Sequence, residues 1–188
     1  MRKQIALGVV TALGFTGAAL ADGFSYSNVE ASYSSLNLKG TTADADGFGL
    51  SGSYGFNDNW SVFAGYKNLD VDGPGSLKNL SLGVGMNWAL NPNLDLTSGL
   101  SYESVDAGPN ATGYGVAVGL RGRLGESFEL TGGVKYYDVN KGWKSQTTFG
   151  VGARYYFTPA FAVGADVWDQ DDLGKSWTIA LRYDFGAK

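Results

Sequence analysis

From Asn87 to Tyr102 the chain reads NWALNPNLDLTSGLSY, and on either side of Asn91-Pro92-Asn93 every second residue is apolar. A period of two belongs to a β-strand, whose side chains alternate between two faces. Leu90 and Leu94 flank the turn, so the stretch reads as a hairpin with one greasy face. The motif recurs at Phe56 to Trp60, Leu124 to Phe128 and Phe157 to Phe161, roughly every 33 to 34 residues. A period near 34 also suits helical repeats, but apolar spacing of two excludes them. Longer polar segments alternate with these turns, at 39–46, 70–78, 106–113, 140–145 and 169–174. Counting between connectors gives ten strands in an up-and-down meander. Their expected limits are 24–38, 47–56, 60–69, 79–90, 94–105, 114–124, 128–139, 146–157, 161–168 and 175–185.

The second face decides what the greasy one looks at. The fourth strand sets Leu80, Leu82, Val84, Met86, Trp88 and Leu90 against Ser81, Gly83, Gly85, Asn87 and Ala89. The sixth sets Tyr114, Val116, Val118, Leu120 and Leu124 against Gly115, Ala117, Gly119, Arg121 and Arg123. A soluble sandwich would show water a face of long polar side chains. Small residues instead suit the concave inside of a barrel, where side chains converge. Strands of about 9–11 residues cross a bilayer when tilted. Aromatics also sort by height. Tyr26, Phe56, Trp60, Trp88, Phe128, Tyr155, Phe157, Phe161, Tyr183 and Phe185 lie near the short turns, with Phe48, Tyr66, Tyr102, Tyr114, Tyr136, Phe149 and Trp177 near the long loops. Two aromatic girdles around an aliphatic band mark an outer-membrane barrel. Closure is obligatory there, because lipid satisfies no backbone N–H or C=O. The expected fold is therefore all-β, a ten-stranded antiparallel up-and-down transmembrane β-barrel with short periplasmic turns and longer extracellular loops. Leu82, Val118 and Ile179 should point away from its axis.

Composition narrows the chemistry. The 188 residues carry 14 Lys and Arg against 18 Asp and Glu, with no basic stripe, so nucleic acid is not an expected partner. There is no Cys and no His, which removes the commonest general base and metal ligand. Arg2 and Lys3, the apolar run Ile5 to Ala18 and then Ala19-Leu20-Ala21 read as a signal peptide over residues 1–21. The barrel domain is then 22–188, beginning near Asp22, with a net charge of about −6.

GFSYSNVEASY (Gly23 to Tyr33), DADGFG (Asp44 to Gly49) and GFNDNWSVFAGY (Gly55 to Tyr66) resemble a family of small, porin-like outer-membrane β-barrels of Gram-negative bacteria. That family was once linked to quorum-sensing signals, an association not carried to this chain. The resemblance implies export through the periplasm to the cell outer membrane, and assembly by the barrel-assembly machinery. The assembly signal would be the aromatic-rich last strand, WTIALRYDF (Trp177 to Phe185), although Gly186-Ala187-Lys188 follows where an aromatic terminus is usual.

Barrel proteases, lipases and acyltransferases generally use a His base, so no enzyme is expected. Asp171-Asp172 reads as a solvated loop pair. The inward face carries Glu30, Lys67, Asp95, Glu103, Arg121, Arg123, Glu129, Lys135, Arg154, Asp166, Arg182 and Asp184 as candidate lumen-lining charges. Turn counting sets Arg123 opposite Glu129 and predicts an Arg154–Asp166–Arg182 cluster. Paired, these charges either plug a closed barrel or line a narrow aqueous path. Inward glycines leave space for a path, while Phe63, Tyr137, Tyr156 and Trp168 point into it. DADG, DVDG and DQDD in the loops could hold cations that bridge lipopolysaccharide phosphates, but their spacing falls short of a calcium loop. Asn110-Ala111-Thr112 reads as a turn. The expected role is a porin-like narrow passive channel or a structural barrel, without cofactor or metal. Its expected surroundings are outer-membrane lipid and lipopolysaccharide. The alternative is a surface interaction protein whose loops contact lipopolysaccharide, another cell or a host surface. No feature signals an oligomeric state.

Overall fold

The computed structural model describes residues 24–185, apart from 41, 74, 109, 142, 143 and 172. The signal peptide, the start near Asp22, the tail at 186–188 and Asp172 of the loop pair lie outside the described residues. Ten strands follow one another: β1 (Asn28–Leu38), β2 (Asp44–Gly55), β3 (Trp60–Val71), β4 (Ser76–Asn91), β5 (Leu94–Asp106), β6 (Asn110–Leu124), β7 (Phe128–Val139), β8 (Gln146–Tyr156), β9 (Phe161–Gln170) and β10 (Gly174–Asp184). Each pairs antiparallel with its sequence neighbour, and β1 pairs with β10 to close the barrel. The seam runs from Asn28 opposite Asp184 to Leu38 opposite Gly174.

The recurring turns have one chemistry. Asn57 Oδ1 accepts from the backbone N–H of Asn59 (2.9 Å) and Trp60 (2.8 Å), and Asn91 Oδ1 accepts from that of Asn93 (2.9 Å). Thr158 Oγ1 does the same for Ala160 and Phe161. A short side-chain oxygen thus satisfies the donors a tight reversal strands. The third turn uses Gly125 at φ 66° instead, a left-handed conformation suited to glycine.

Alternation is as read from the sequence. Leu82 is 46% exposed, Val118 45% and Ile179 51%, so the greasy face points outward. Outward rings meet across strands at both ends: Phe128 with Tyr155, Phe161 with Tyr183, Tyr33 with Phe48, and Tyr114 with Tyr136. Tyr26 departs from the expected pattern. It precedes β1 rather than belonging to it, and it is 1% exposed, inside the barrel.

Four strands begin earlier than the polar composition indicated. β2 starts at Asp44, β4 at Ser76, β6 at Asn110 and β10 at Gly174, while β3 runs on to Val71 and β9 to Gln170. On β2, β3, β4 and β6 the pairing continues because the inward side chains there are apolar; on β9 and β10 the inward Gln170 and Ser176 hydrogen-bond to each other instead. Leu36, Leu38, Ala45, Leu69 and Leu77 form one buried cluster, joined at its edge by Ala43, Val71 and Ala107. Val105, Ala111, Tyr137 and Val139 form a second. At this end the outward residues are polar: Asp46, Asn68, Asp70, Lys78, Asp106 and Asp138. The two faces have exchanged character.

Inward glycines are slots rather than open space. A Cβ at Gly150 would strike the Trp168 ring, one at Gly83 would strike Phe63, and one at Gly152 would strike the Asp166 carboxylate. Outward Gly132 meets no atom closer than 3.7 Å. Gly150→Ala should therefore lower stability by about 1–3 kcal/mol through forced repacking, with Gly132→Ala near neutral. Urea unfolding in lipid vesicles measures both, and equal effects would refute the slot.

Candidate functional site

The interior is layered along the axis. Its middle is charged, and two glutamates organise it. Glu30 on β1 accepts through Oε2 from Arg182 Nε (3.0 Å) and from Arg154 Nη2 (3.2 Å). Glu129 on β7 accepts through Oε2 from Arg121 Nη2 (2.7 Å) and from the Tyr156 hydroxyl (3.3 Å). Glu129 Oε1 lies 3.9 Å from Arg154 Nη1 and 3.7 Å from Arg182 Nη1, linking the two centres. Asp166 stands at the edge, 3.7 Å from Arg154 Nη2. The triad of Arg154, Asp166 and Arg182 is thus brought together around Glu30 rather than around Asp166. Register explains this: Glu30 is directly opposite Arg182 across the β1–β10 seam.

Arg123 is opposite Glu129 in register, yet the ion pair of Glu129 goes to Arg121. Arg123 instead lies over the Phe24 ring, 5.0 Å from its centroid. A second centre surrounds Glu103 on β5. Lys135 Nζ (2.6 Å), Ser101 Oγ (2.6 Å) and Ser81 Oγ (3.0 Å) all donate to Glu103 Oε1, and Asn79 donates to Oε2. Lys67 is buried in the field of Asp166 and Glu30, and Asp184 in that of Arg182 and Arg121. Asp95 accepts from the Tyr26 hydroxyl. The inward cations are Lys67, Arg121, Arg123, Lys135, Arg154 and Arg182. The inward anions are Glu30, Asp95, Glu103, Glu129, Asp166 and Asp184. Among the described residues, six of each give an interior of zero formal net charge, which lowers the cost of burying them.

Above this middle sit the two apolar clusters, and below it the segment 24–27. Phe24 and Tyr26 both place rings against the Arg121 guanidinium, at 4.7 and 4.6 Å. At the start of β2, Asp46 accepts from the Tyr33 hydroxyl (2.7 Å) and Asp44 from Asn37 (2.9 Å), and in the loop after β3 Asp72 accepts from the Asp44 backbone N–H. These carboxylates are committed to the protein. Among the described residues, no group of three or more acidic ligands forms a metal centre.

The family model described as the outer membrane protein beta-barrel domain matches residues 7–157. This chain belongs to that family. It is an outer-membrane β-barrel protein, with its short turns in the periplasm and its longer connections outside. No curated protein sequence matches it. Among solved structures, an outer membrane channel from Pseudomonas putida F1 is 11% identical, with a TM-score of 0.55 over 93% of this chain and 98% of that one. The beta domain of the Bordetella autotransporter BrkA is 13% identical, with a TM-score of 0.52 over 85% and 99%. The KdgM porin is 12% identical, with a TM-score of 0.48 over 84% and 99%. At these identities the likeness is one of fold.

In an outer-membrane barrel the outward middle of each strand meets acyl chains, so Val118→Arg should cost about 2–4 kcal/mol. The interior makes a different demand. Removing one partner of a buried ion network leaves the others uncompensated, at about 3–5 kcal/mol. Glu30→Gln strands two arginines and should fall in that range, whereas Arg123→Gln loses one ring contact, about 0.5–1 kcal/mol. Urea titration of vesicle-inserted protein ranks the three. A benign Glu30→Gln would show that Glu30 is not the hub.

Two features escaped the sequence reading. The apolar clusters were visible as Lys67-Asn-Leu69-Asp-Val71, where parity continues while polarity inverts. The segment 24–27 carried no separate signal, because Phe24 and Tyr26 keep the alternation of the strand that follows.

Proposed function

We propose that this protein is a structural barrel of the outer membrane whose lumen is shut in the state described, rather than a standing pore. The observation that carries this is the apolar seal: Leu36, Leu69, Leu77, Val105 and Ala111, from β1, β3, β4, β5 and β6, are each no more than 2% exposed at the outer end of the lumen. Where these side chains line it the lumen is apolar, and a hydrophobic constriction excludes ions; Gln146, Thr148 and Gln170, buried on β8 and β9, fill the other side. The inward charges line the interior beneath this seal, neutral as a set, with eight of the twelve joined in ion pairs. They serve the barrel as an electrostatic core.

The remaining roles follow from the membrane setting. Residues 1–21 act as the export signal. The outward rings form girdles at the headgroups, and the outer girdle meets lipopolysaccharide. β10 and the residue after it, with Trp177, Tyr183 and Phe185, are the segment the barrel-assembly machinery engages. With no His in the chain and Glu30, Glu103, Glu129 and Asp166 paired to arginines and lysines, the role is not enzymatic.

Planar-bilayer recording tests the seal. The unaltered protein should give no stepwise conductance. Leu36→Gly combined with Leu77→Gly and Tyr26→Ala should create brief steps, because both closures are then breached. Regular steps from the unaltered protein would refute the closed reading and establish the narrow channel instead.

A further inference from the structure

Phe24, Ser25, Tyr26 and Ser27 stand before β1 and are all buried. They do not extend the wall. β6 is five strands from β1 in either direction around the ring, so it lies directly across the lumen. The segment reaches it: Arg121 Nη1 on β6 donates to the Ser25 carbonyl at 2.9 Å. The Tyr26 hydroxyl donates to Asp95 on β5. On the near side Ser53 Oγ of β2 donates to the Tyr26 carbonyl (3.0 Å), and the Phe185 N–H donates to the Ser27 carbonyl (3.0 Å). The four residues therefore span the periplasmic mouth and are fastened at both banks.

The fastening is local: a few hydrogen bonds and the buried rings of Phe24 and Tyr26. Its far end rests on Arg121 and Arg123 beside two rings, whose centroids are 6.4 Å apart, and on one phenol–carboxylate hydrogen bond. Arg121 keeps its own partner, Glu129, whether or not the segment is present. The wall beneath is complete without it, since β1 pairs with both neighbours from Asn28 onward. A short element held by a few contacts to an otherwise finished structure opens separately from the global fold.

We propose that residues 24–27 form a latch: a strap that shuts the periplasmic mouth and swings out as a unit, uncovering Arg121, Arg123 and Asp95 while the barrel stays intact. Its docking partners come from β2, β5, β6 and the residue after β10, and they converge only once β1 has paired with β10. The latch is thus the last part of the fold to seat. It does not depend on the outer seal, which lies at the opposite end of the lumen.

The absence of Cys permits a direct test on the full chain in lipid vesicles open to the periplasmic side. Ser25→Cys reports the latch, and Glu126→Cys, in the exposed β6–β7 turn, reports free access at the same end. With a membrane-impermeant maleimide, Ser25→Cys should label roughly tenfold more slowly than Glu126→Cys. Adding Tyr26→Ala to Ser25→Cys should bring its rate up to that of Glu126→Cys, with the heat-resistant electrophoretic mobility of the barrel unchanged. If Tyr26→Ala does not assemble, Tyr26→Phe, which loses only the hydroxyl, carries the test through a smaller rise in rate. The proposal is overturned if Ser25→Cys already labels as fast as Glu126→Cys. It is equally overturned if loosening Tyr26 leaves the slow rate unchanged.

Discussion

Every strand of this barrel passes through two solvents, and the structure depends on matching each stretch to its own. Within the bilayer the outside is hydrocarbon, so large apolar side chains face out and polar groups retreat inward. Above the bilayer the outside is water, and the rule inverts. On β3 the outward series Val62, Ala64, Tyr66 gives way to Asn68 and Asp70, while the inward series Ser61, Phe63, Gly65, Lys67 gives way to Leu69 and Val71. β5 changes between Tyr102 and Ser104 outside and between Glu103 and Val105 inside. β7 changes from Tyr136 to Asp138 and from Lys135 to Val139. The exchange falls just beyond the outer rings on these three strands, which is where a membrane surface belongs. What protrudes is a short water-facing barrel with apolar clusters of its own.

This solvent exchange explains what could and could not be read from the sequence. Period-two alternation, the recurring turns and the outward greasy face were all legible, because they are properties of residues close in sequence. Strand ends were less so. Clusters of Asp, Asn, Lys and Gly at 70–78 and 106–113 look like loops when polarity is averaged. Counting parity instead shows Leu69, Val71 and Leu77 continuing the inward series of their strands. The contacts of the interior were the least legible part. Glu30 and Arg182 are 152 residues apart and become direct neighbours only when the seam closes. Turn counting relates strands joined by short connectors, so it brought Arg154, Asp166 and Arg182 to one depth. It could not bring in a residue from the other end of the chain.

The buried charges illustrate why register alone does not assign partners. Arg123 and Glu129 are directly opposite, as counted, but inward side chains converge and long ones reach diagonally. Arg121, one pleat deeper, takes the carboxylate, and Arg123 turns toward Phe24. Neutrality of the set matters more than any single pairing. A lumen with excess charge of one sign would demand counter-ions or water. Six cations against six anions leave no such excess, and the networks around Glu30 and Glu129, with a separate centre at Glu103, hold most of them. The glycines serve the same end. They admit Trp168, Phe63 and the Asp166 carboxylate against the wall, so a ten-stranded bore is filled by side chains that an eight-stranded one would not hold.

Closure of the lumen therefore has two physically different parts. The outer seal is hydrophobic, is built from at least five strands, and shares the backbone ladder of the barrel. Opening it means rearranging the wall. The periplasmic closure is a four-residue strap held by hydrogen bonds and ring–guanidinium contacts, and the wall is complete without it. Thermal motion and solvent will act on these unequally. Water competes with the polar fastenings of the strap, whereas contact with water strengthens the drive to keep the apolar seal assembled. The interior should accordingly communicate with the periplasm more readily than with the exterior, and the charged centres around Glu129 and Arg121 lie on the side from which it does so.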